Sequence, residues 1–184
     1  HFHENKENEL FLLLRSYYSK EELAMFFQPL LATDLDFRDF IMDNYRRGLA
    51  AGIPIALGYL SVSFTFGIMA VSYGLSWWQA LLISMTTVTS AGQFAGLGTM
   101  MHPGQYFQML ISQITINIRY SFMSISVGQK ADSRFKGISR WILGFMMTDE
   151  IFAVASQEDA VSRSFFAGLS TLPYIGWAFG TLFG

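Results

Sequence analysis

GLAAGIPIALGYLSVSFTFGIMAVSYGLSWWQALLIS, residues 48–84, contains no aspartate, glutamate, lysine or arginine. A bilayer is crossed by roughly 20 apolar residues in a helix, so the run is long enough for more than one pass. The turn signal inside it is GLS at residues 74–76. The scarcity of charge continues outward. From Gly48 to Gly128 the sole charged residue is Arg119, whereas 15 charged residues lie in His1–Arg47. No soluble domain of ordinary size leaves such a stretch nearly uncharged. Hydrophobic residues make up 52% of the chain, above the roughly 45–50% of soluble domains. The division is therefore a polar helical amino-terminal extension, residues 1–45, and a transmembrane domain, residues 46–184.

Five apolar segments of spanning or near-spanning length follow one another: Gly48–Tyr73, Trp77–Met101, Tyr106–Gly128, Gly137–Gln157 and Ser164–Gly184. Uniformly apolar runs give no periodicity that separates helix from strand. Length does, because barrel strands are about half as long. The expected fold is all-α, a polytopic transmembrane helix bundle. In the extension, Ser19 and Glu22 have capping-box spacing, and Leu23, Phe26, Phe27 and Leu30 repeat at helical intervals. An amphipathic helix docked on its own protein or on a partner is expected there. The chain starts on His1, and its last apolar segment has no polar flank. Spanning helices usually end in interfacial residues, so the natural protein is expected to continue past Gly184.

Charge sets the orientation problem. The positive-inside rule assigns Arg46 and Arg47 to the cytoplasmic side, and equally Lys130, Arg134, Lys136 and Arg140. Three full crossings between the two clusters would put them on opposite sides. Either one cluster breaks the rule or one segment is broken or re-entrant. The best candidate for the break is TTVTSAGQFAGLG, Thr86–Gly98, rich in hydroxyls and glycine. Broken segments of this kind often form transporter sites.

Two adjacent acids, Asp149 and Glu150, interrupt the fourth segment. In a continuous helix Asp149 would be about 12 Å from either end, too deep for its side chain to reach water. An acid at the bilayer centre costs about 2.5–3.5 kcal/mol on insertion scales, so both must be paired, protonated or hydrated. Arg119 is the natural counter-charge. It lies in QITINIRYSFMS, where Gln113 and Asn117 share a helix face. Gly92 and Gly96 suit close helix packing, and Gly92 beside Gln93 would let backbone reach a ligand.

Other chemistries find little support. There is no cysteine, and the three histidines, His1, His3 and His102, form no three-ligand metal set. No glycine-rich phosphate loop is present, and the net charge of −2 offers no nucleic-acid face. Neither an enzyme, a metal site nor a cofactor is expected.

The ordered set GLAAGIPIALGYLSVSFTFGIMAVSYGLSWWQALLIS, SAGQFAGLG, NIRYSFMS, GFMMTDEIFAVA and GWAFGTLFG resembles the AzlC-type branched-chain amino acid permease family, large subunit, from about Asn44 to Gly184. The resemblance implies a bacterial inner-membrane, multi-pass exporter of leucine, isoleucine and valine that works with a small AzlD-like membrane subunit. The family usually has an acid at the position of Asn117 and a histidine at that of Tyr120, so a proton role does not carry over to those two. A short family tail makes Met42 a plausible native start.

The resulting expectation is a transporter subunit, coupled to protons. Gln93, Asn117, Arg119 and Tyr120 bind the amino acid substrate, Asp149 and Glu150 handle the proton, and Gly92 and Gly96 mark the helix break. The partners are the small membrane subunit and the lipid bilayer, with no nucleic acid. A homo-oligomer stays open, as do an uncoupled membrane pore and a non-transporting scaffold.

Overall fold

Among the described residues the chain folds entirely into helices. The computed structural model describes residues 20–102, 104–132 and 135–184, with side chains from residue 37 onward. The capping box at Ser19 and the apolar face from Leu23 to Leu30 lie outside these side chains, as does Arg134. Helix α1 spans Lys20–Ser72, and the compact unit that carries the features below begins at Asp43. Over Phe37–Ser72, α1 is long and apolar enough to cross a membrane, an 18-residue stretch within it reaching a mean hydropathy of 1.7.

Six further helices follow: α2 (Trp77–Thr87), α3 (Ser90–Met100), α4 (Tyr106–Lys130), α5 (Ile138–Phe145), α6 (Asp149–Ala155) and α7 (Arg163–Phe183). Helices α4 and α7, with 25 and 21 residues, have spanning length. Two of the expected segments are not single helices. Trp77–Met101 is split into α2 and α3 at Val88, and Gly137–Gln157 is split into α5 and α6 between Met146 and Thr148.

Helices α1 and α7 run parallel and nearly touch backbone to backbone. Gly48 meets Phe165 and Leu169, Ala56 meets Gly176, and Gly67 meets Thr181 and Gly184. The register advances in the same direction on both helices. A methyl on Gly176 would lie 2.8 Å from the Ala56 carbonyl, and one on Gly52 2.8 Å from the Leu169 carbonyl. Pro173 has no N–H to give that Leu169 carbonyl. Small residues at four-residue spacing are what such a close seam requires.

The split segments are hairpins. Helix α2 starts beside the end of α1, where the Leu75 amide donates to the Ala70 carbonyl at 3.0 Å. It descends until Ser84 meets Thr181 at 2.6 Å. At Val88 the backbone turns with φ 27° and ψ 42°, a left-handed conformation that costs a β-branched residue about 1–3 kcal/mol. Helix α3 then climbs back. Phe94 lies edge-on to Phe66 with centroids 5.7 Å apart, and Leu97 packs with Phe66, Ala70 and Ala80. This first hairpin therefore enters and leaves by one end of the bundle.

The second hairpin does the same from the other end. Helix α4 carries the chain there, and Lys130 donates to the Ser156 carbonyl at 2.8 Å and the Glu158 carbonyl at 3.2 Å. Helix α5 runs inward to a tip at Thr148, beside Tyr59 in the middle of α1. Helix α6 returns, and Ile151 and Ala155 join Val127, Leu143, Phe165 and Leu169 in the larger core cluster. Arg47 pairs with Glu158 at 3.1 Å at this same end.

Arg47 and Lys130 thus meet at one residue, Glu158, at one end. The two clusters lie at one end because the first hairpin returns to the end from which it enters. The expected break at Thr86–Gly98 is present, but the expectation of a continuous Gly137–Gln157 span is corrected. Thr148 has extended backbone (φ −125°, ψ 171°), and its hydroxyl accepts from the Ile151 amide, so a new helix starts there. A long helix followed by a hairpin entering from its far end occurs twice, in opposite directions: α1 with α2–α3, and α4 with α5–α6.

Candidate functional site

The polar side chains gather at the two hairpin tips. Each tip has a threonine that caps the inner end of the returning helix. Thr89 accepts from the Gly92 amide, and Thr148 from the Ile151 amide, both at 3.4 Å. Threonine is a preferred N-cap because its oxygen replaces a missing backbone partner.

Asp149 and Glu150 follow directly in the first turn of α6. This resolves their presence in an apolar run. They start a helix, where its dipole favours negative charge, instead of interrupting one. Asp149 pairs with Arg119 at 2.9 Å, with side chains 41% and 47% exposed respectively. The pairing matches the expected counter-charge, but the aspartate is far more open than a mid-helix position would make it.

Glu150 has a different partner. The Tyr59 hydroxyl lies 2.5 Å from both Glu150 Oε2 and Thr148 Oγ1. It has one proton to give, so it donates to the carboxylate and accepts from the threonine. Tyr59 is buried and rests edge-on against Trp177, with ring centroids 5.0 Å apart.

Arg119 ties the two tips together. Besides Asp149, it donates to the Tyr120 hydroxyl at 3.0 Å, and its guanidinium sits 4.9 Å over the Tyr120 ring. Thr89 donates to that same hydroxyl at 3.4 Å. One chain of contacts, Thr89–Tyr120–Arg119–Asp149, runs from the first tip to the second.

Two relays lie behind it. Asn117 Nδ2 donates to Gln113 Oε1 at 3.1 Å, and Gln113 Nε2 donates to the Gly92 carbonyl at 2.8 Å. Gly92 makes room for this, since a methyl there would lie 2.8 Å from Gln113 Oε1. Gly96 borders the same amide. In the second relay Gln93 Nε2 donates to Ser84 Oγ at 2.7 Å, Ser84 meets Thr181 at 2.6 Å, and Thr181 donates to the Trp177 carbonyl at 3.3 Å. Gln93, Ser84 and Thr181 are all buried.

Gln93, Asn117, Arg119, Tyr120, Asp149 and Glu150 are found at or beside the two tips, whereas Gly92 and Gly96, expected to mark the helix break, lie inside α3 and the break is at Val88. Sequence reasoning passed over Tyr59, Thr89, Thr148, Ser84, Thr181 and Trp177. For Tyr59 the signal was a lone phenol inside the charge-free stretch Gly48–Ser72. For Thr148 it was the order Thr-Asp-Glu, which reads as a helix start. No group of metal-ligating side chains occurs among the described residues.

A sequence profile described as AzlC protein matches residues 54–184. A protein of Archaeoglobus fulgidus described as an uncharacterized membrane protein is 38% identical over 144 residues, covering 76% of this chain and 61% of its own. The inner membrane protein YgaZ of Escherichia coli is 22% identical over 146 residues, 77% of this chain and 60% of its own. The branched-chain amino acid transport protein AzlC of Bacillus subtilis is 25% identical over 170 residues, 90% of this chain and 66% of its own. The chain thus spans about three fifths of the length of the first two of these. No solved structure matches.

Proposed function

Since the chain belongs to the AzlC family, we propose that it is part of a multi-pass membrane transporter that exports branched-chain amino acids, coupled to protons and assembled with a small membrane subunit. The observation that carries this reading is the polar chain joining the tips of two hairpins that enter from opposite ends. Irregular backbone at membrane depth is tolerated only where protein or a water-filled cavity covers it. Broken helices meeting at mid-depth are where secondary transporters bind substrate.

Several features support a membrane setting. Phe107, Ile138 and Trp141 are among many large apolar side chains left outward, at 75%, 72% and 78% exposure. Such a surface is unsuited to water at this extent. The end with Arg47 and Lys130 is the cytoplasmic one by the positive-inside rule, in a bacterial inner membrane. The half-open Arg119–Asp149 pair does not face lipid, because a charge at the bilayer centre costs about 2.5–3.5 kcal/mol even on insertion scales. Its opening is a water-filled cavity or is covered by the small subunit.

In this reading Arg119 receives the substrate carboxylate and, in doing so, releases Asp149. Freed of its counter-charge, a carboxylate gains a proton more readily. Glu150, held by the Tyr59 hydroxyl, is the alternative carrier. Apolar side chains around the tips receive the branched side chain. The test is expression of the full-length chain with its small partner in cells fed leucine-, isoleucine- or valine-containing dipeptides. Intracellular levels of all three should fall. Unchanged levels, with the protein present in the membrane, would reject the reading.

A further inference from the structure

Both relays behind the tips have a fixed polarity. The Trp177 carbonyl can only accept, so Thr181 donates to it, Ser84 donates to Thr181, and Gln93 gives an N–H to Ser84. The amide oxygen of Gln93 is left over, buried and without a partner. The Gly92 carbonyl fixes the other relay in the same way. Gln113 turns its NH2 to that carbonyl and its oxygen to Asn117, whose NH2 must point back. The amide oxygen of Asn117 is likewise left over, buried and unpartnered. Rotating Gln113 or Asn117 would place two acceptors or two donors face to face, and the Gln93 orientation follows from Thr181 donating to the Trp177 carbonyl.

Two acceptors are therefore open, and the relays that orient them end at adjacent residues of α3, Gly92 and Gln93. Gln93 is 2% exposed. A buried acceptor without a donor is destabilising, and two on helices that pack together, α3 and α4, call for a ligand rich in N–H groups. Glu150 is held by Tyr59, and Asp149 is held by Arg119 until the substrate carboxylate displaces it. The third unpartnered buried polar atom among the described side chains is a donor, the indole N–H of Trp177. It has no part in accepting a cation.

We propose that the Gln93 and Asn117 amide oxygens form an uncharged receptor for the ammonium group of a substrate amine. The inference rests on the transport reading above, and makes two neutral oxygens the partner of the ammonium. A neutral receptor lets the ammonium leave without separating opposite charges, and it leaves the acids available for the proton. Hydroxyl and amide oxygens also suit a sodium ion, so the test must separate the two.

The measurement is thermal stabilisation of the purified full chain by three compounds that share the branched side chain. Leucine has both charged groups, 3-methylbutylamine only the ammonium, and 4-methyl-2-hydroxypentanoate only the carboxylate. The amine should stabilise the wild type, and Gln93→Met should weaken its binding by about tenfold or more, the effect of losing a hydrogen bond to a charged group. Binding of the hydroxy acid should change less than about twofold on the same scale. Asn117→Met should do the same, since its loss removes the second oxygen. Absence of any stabilisation by the amine overturns the proposal. So does an equal loss for amine and hydroxy acid, which would mark Gln93 as structural only. Stabilisation by sodium over choline that disappears in Gln93→Met, with the amine unaffected, assigns the oxygens to the metal ion and also overturns it. The transport reading is judged separately, by leucine efflux from cells with the wild-type chain. Amine binding without efflux would sink that reading and keep the receptor.

Discussion

Replacing Asp149 with asparagine separates a coupling acid from a structural one. The amide keeps the shape of the side chain and its place in the first turn of α6. The lost interaction is one ion pair with Arg119 at 2.9 Å, whose side chains are 41% and 47% exposed. Pairs that open are worth at most about 1 kcal/mol of stability, and a lost charge at a helix start adds about 0.3–1 kcal/mol. Asp149→Asn should therefore destabilise the chain by no more than about 2 kcal/mol. Arg119 keeps its bond to Tyr120 and its place over that ring, so it is not stranded. Transport should change in kind. In vesicles containing the full chain and its small partner, a pH gradient should no longer drive accumulation, while exchange of leucine for leucine should persist. Uptake normalised to folded protein is the assay, with Arg119→Gln added in a second variant. If Asp149→Asn still accumulates leucine in response to the pH gradient, Asp149 has no coupling role. If the single variant fails to fold and the double variant restores it, the pair is structural and the reasoning fails.

Tyr59→Phe keeps the edge contact with Trp177 but removes the hydroxyl between Thr148 and Glu150; it should lower stability by about 1.5–3 kcal/mol in a denaturant titration and slow pH-driven transport more than exchange. Gly176→Val puts a methyl 2.8 Å from the Ala56 carbonyl and forces the α1–α7 seam apart, so membrane-extracted protein should elute as aggregate, while Gly58→Val, where nothing lies within 4 Å, should behave as wild type. Single cysteines at positions 46 and 130, introduced into a chain that has none, should react with an impermeant thiol reagent from the same face; labelling from opposite faces would contradict the hairpin arrangement.

Helix content was legible because Gly48–Gly128 contains a single charge, and no other secondary structure satisfies so apolar a backbone as simply. The first hairpin was legible too, from the mismatch between Arg46–Arg47 and Lys130. Hydroxyls and glycines at Thr86–Gly98 located it. The second hairpin was missed for a physical reason. Its two halves, eight and seven residues long, add up to an apolar length that mimics one span, and hydropathy does not register direction. Thr148 before two acids was a start signal, but the depth of the acids drew attention to their cost instead. The α1–α7 seam was invisible in another way. Gly48 and Gly52 announce a close contact without saying which helix supplies it, and only the parallel run of Gly168, Gly176 and Gly180 against them does.

The hairpins also constrain the order in which the protein is built. Helices α5 and α6, at eight and seven residues, are too short to be released into lipid as spans, and α2 and α3, at 11 residues each, fall well short of the roughly 20 required. Each has polar ends that lipid would leave unsatisfied. They need walls before they can leave the surface. Those walls are α1, α4 and α7, and of these α7 emerges from the ribosome after both hairpins. In the multi-pass transporter proposed above, both hairpins would wait at their own surfaces until α7 has closed against α1, the first through the synthesis of more than 60 residues, from Met100 to Arg163. A ribosome stalled before Arg163 should leave positions 88 and 148 accessible from opposite faces of the bilayer, and synthesis through Phe183 should bury them together.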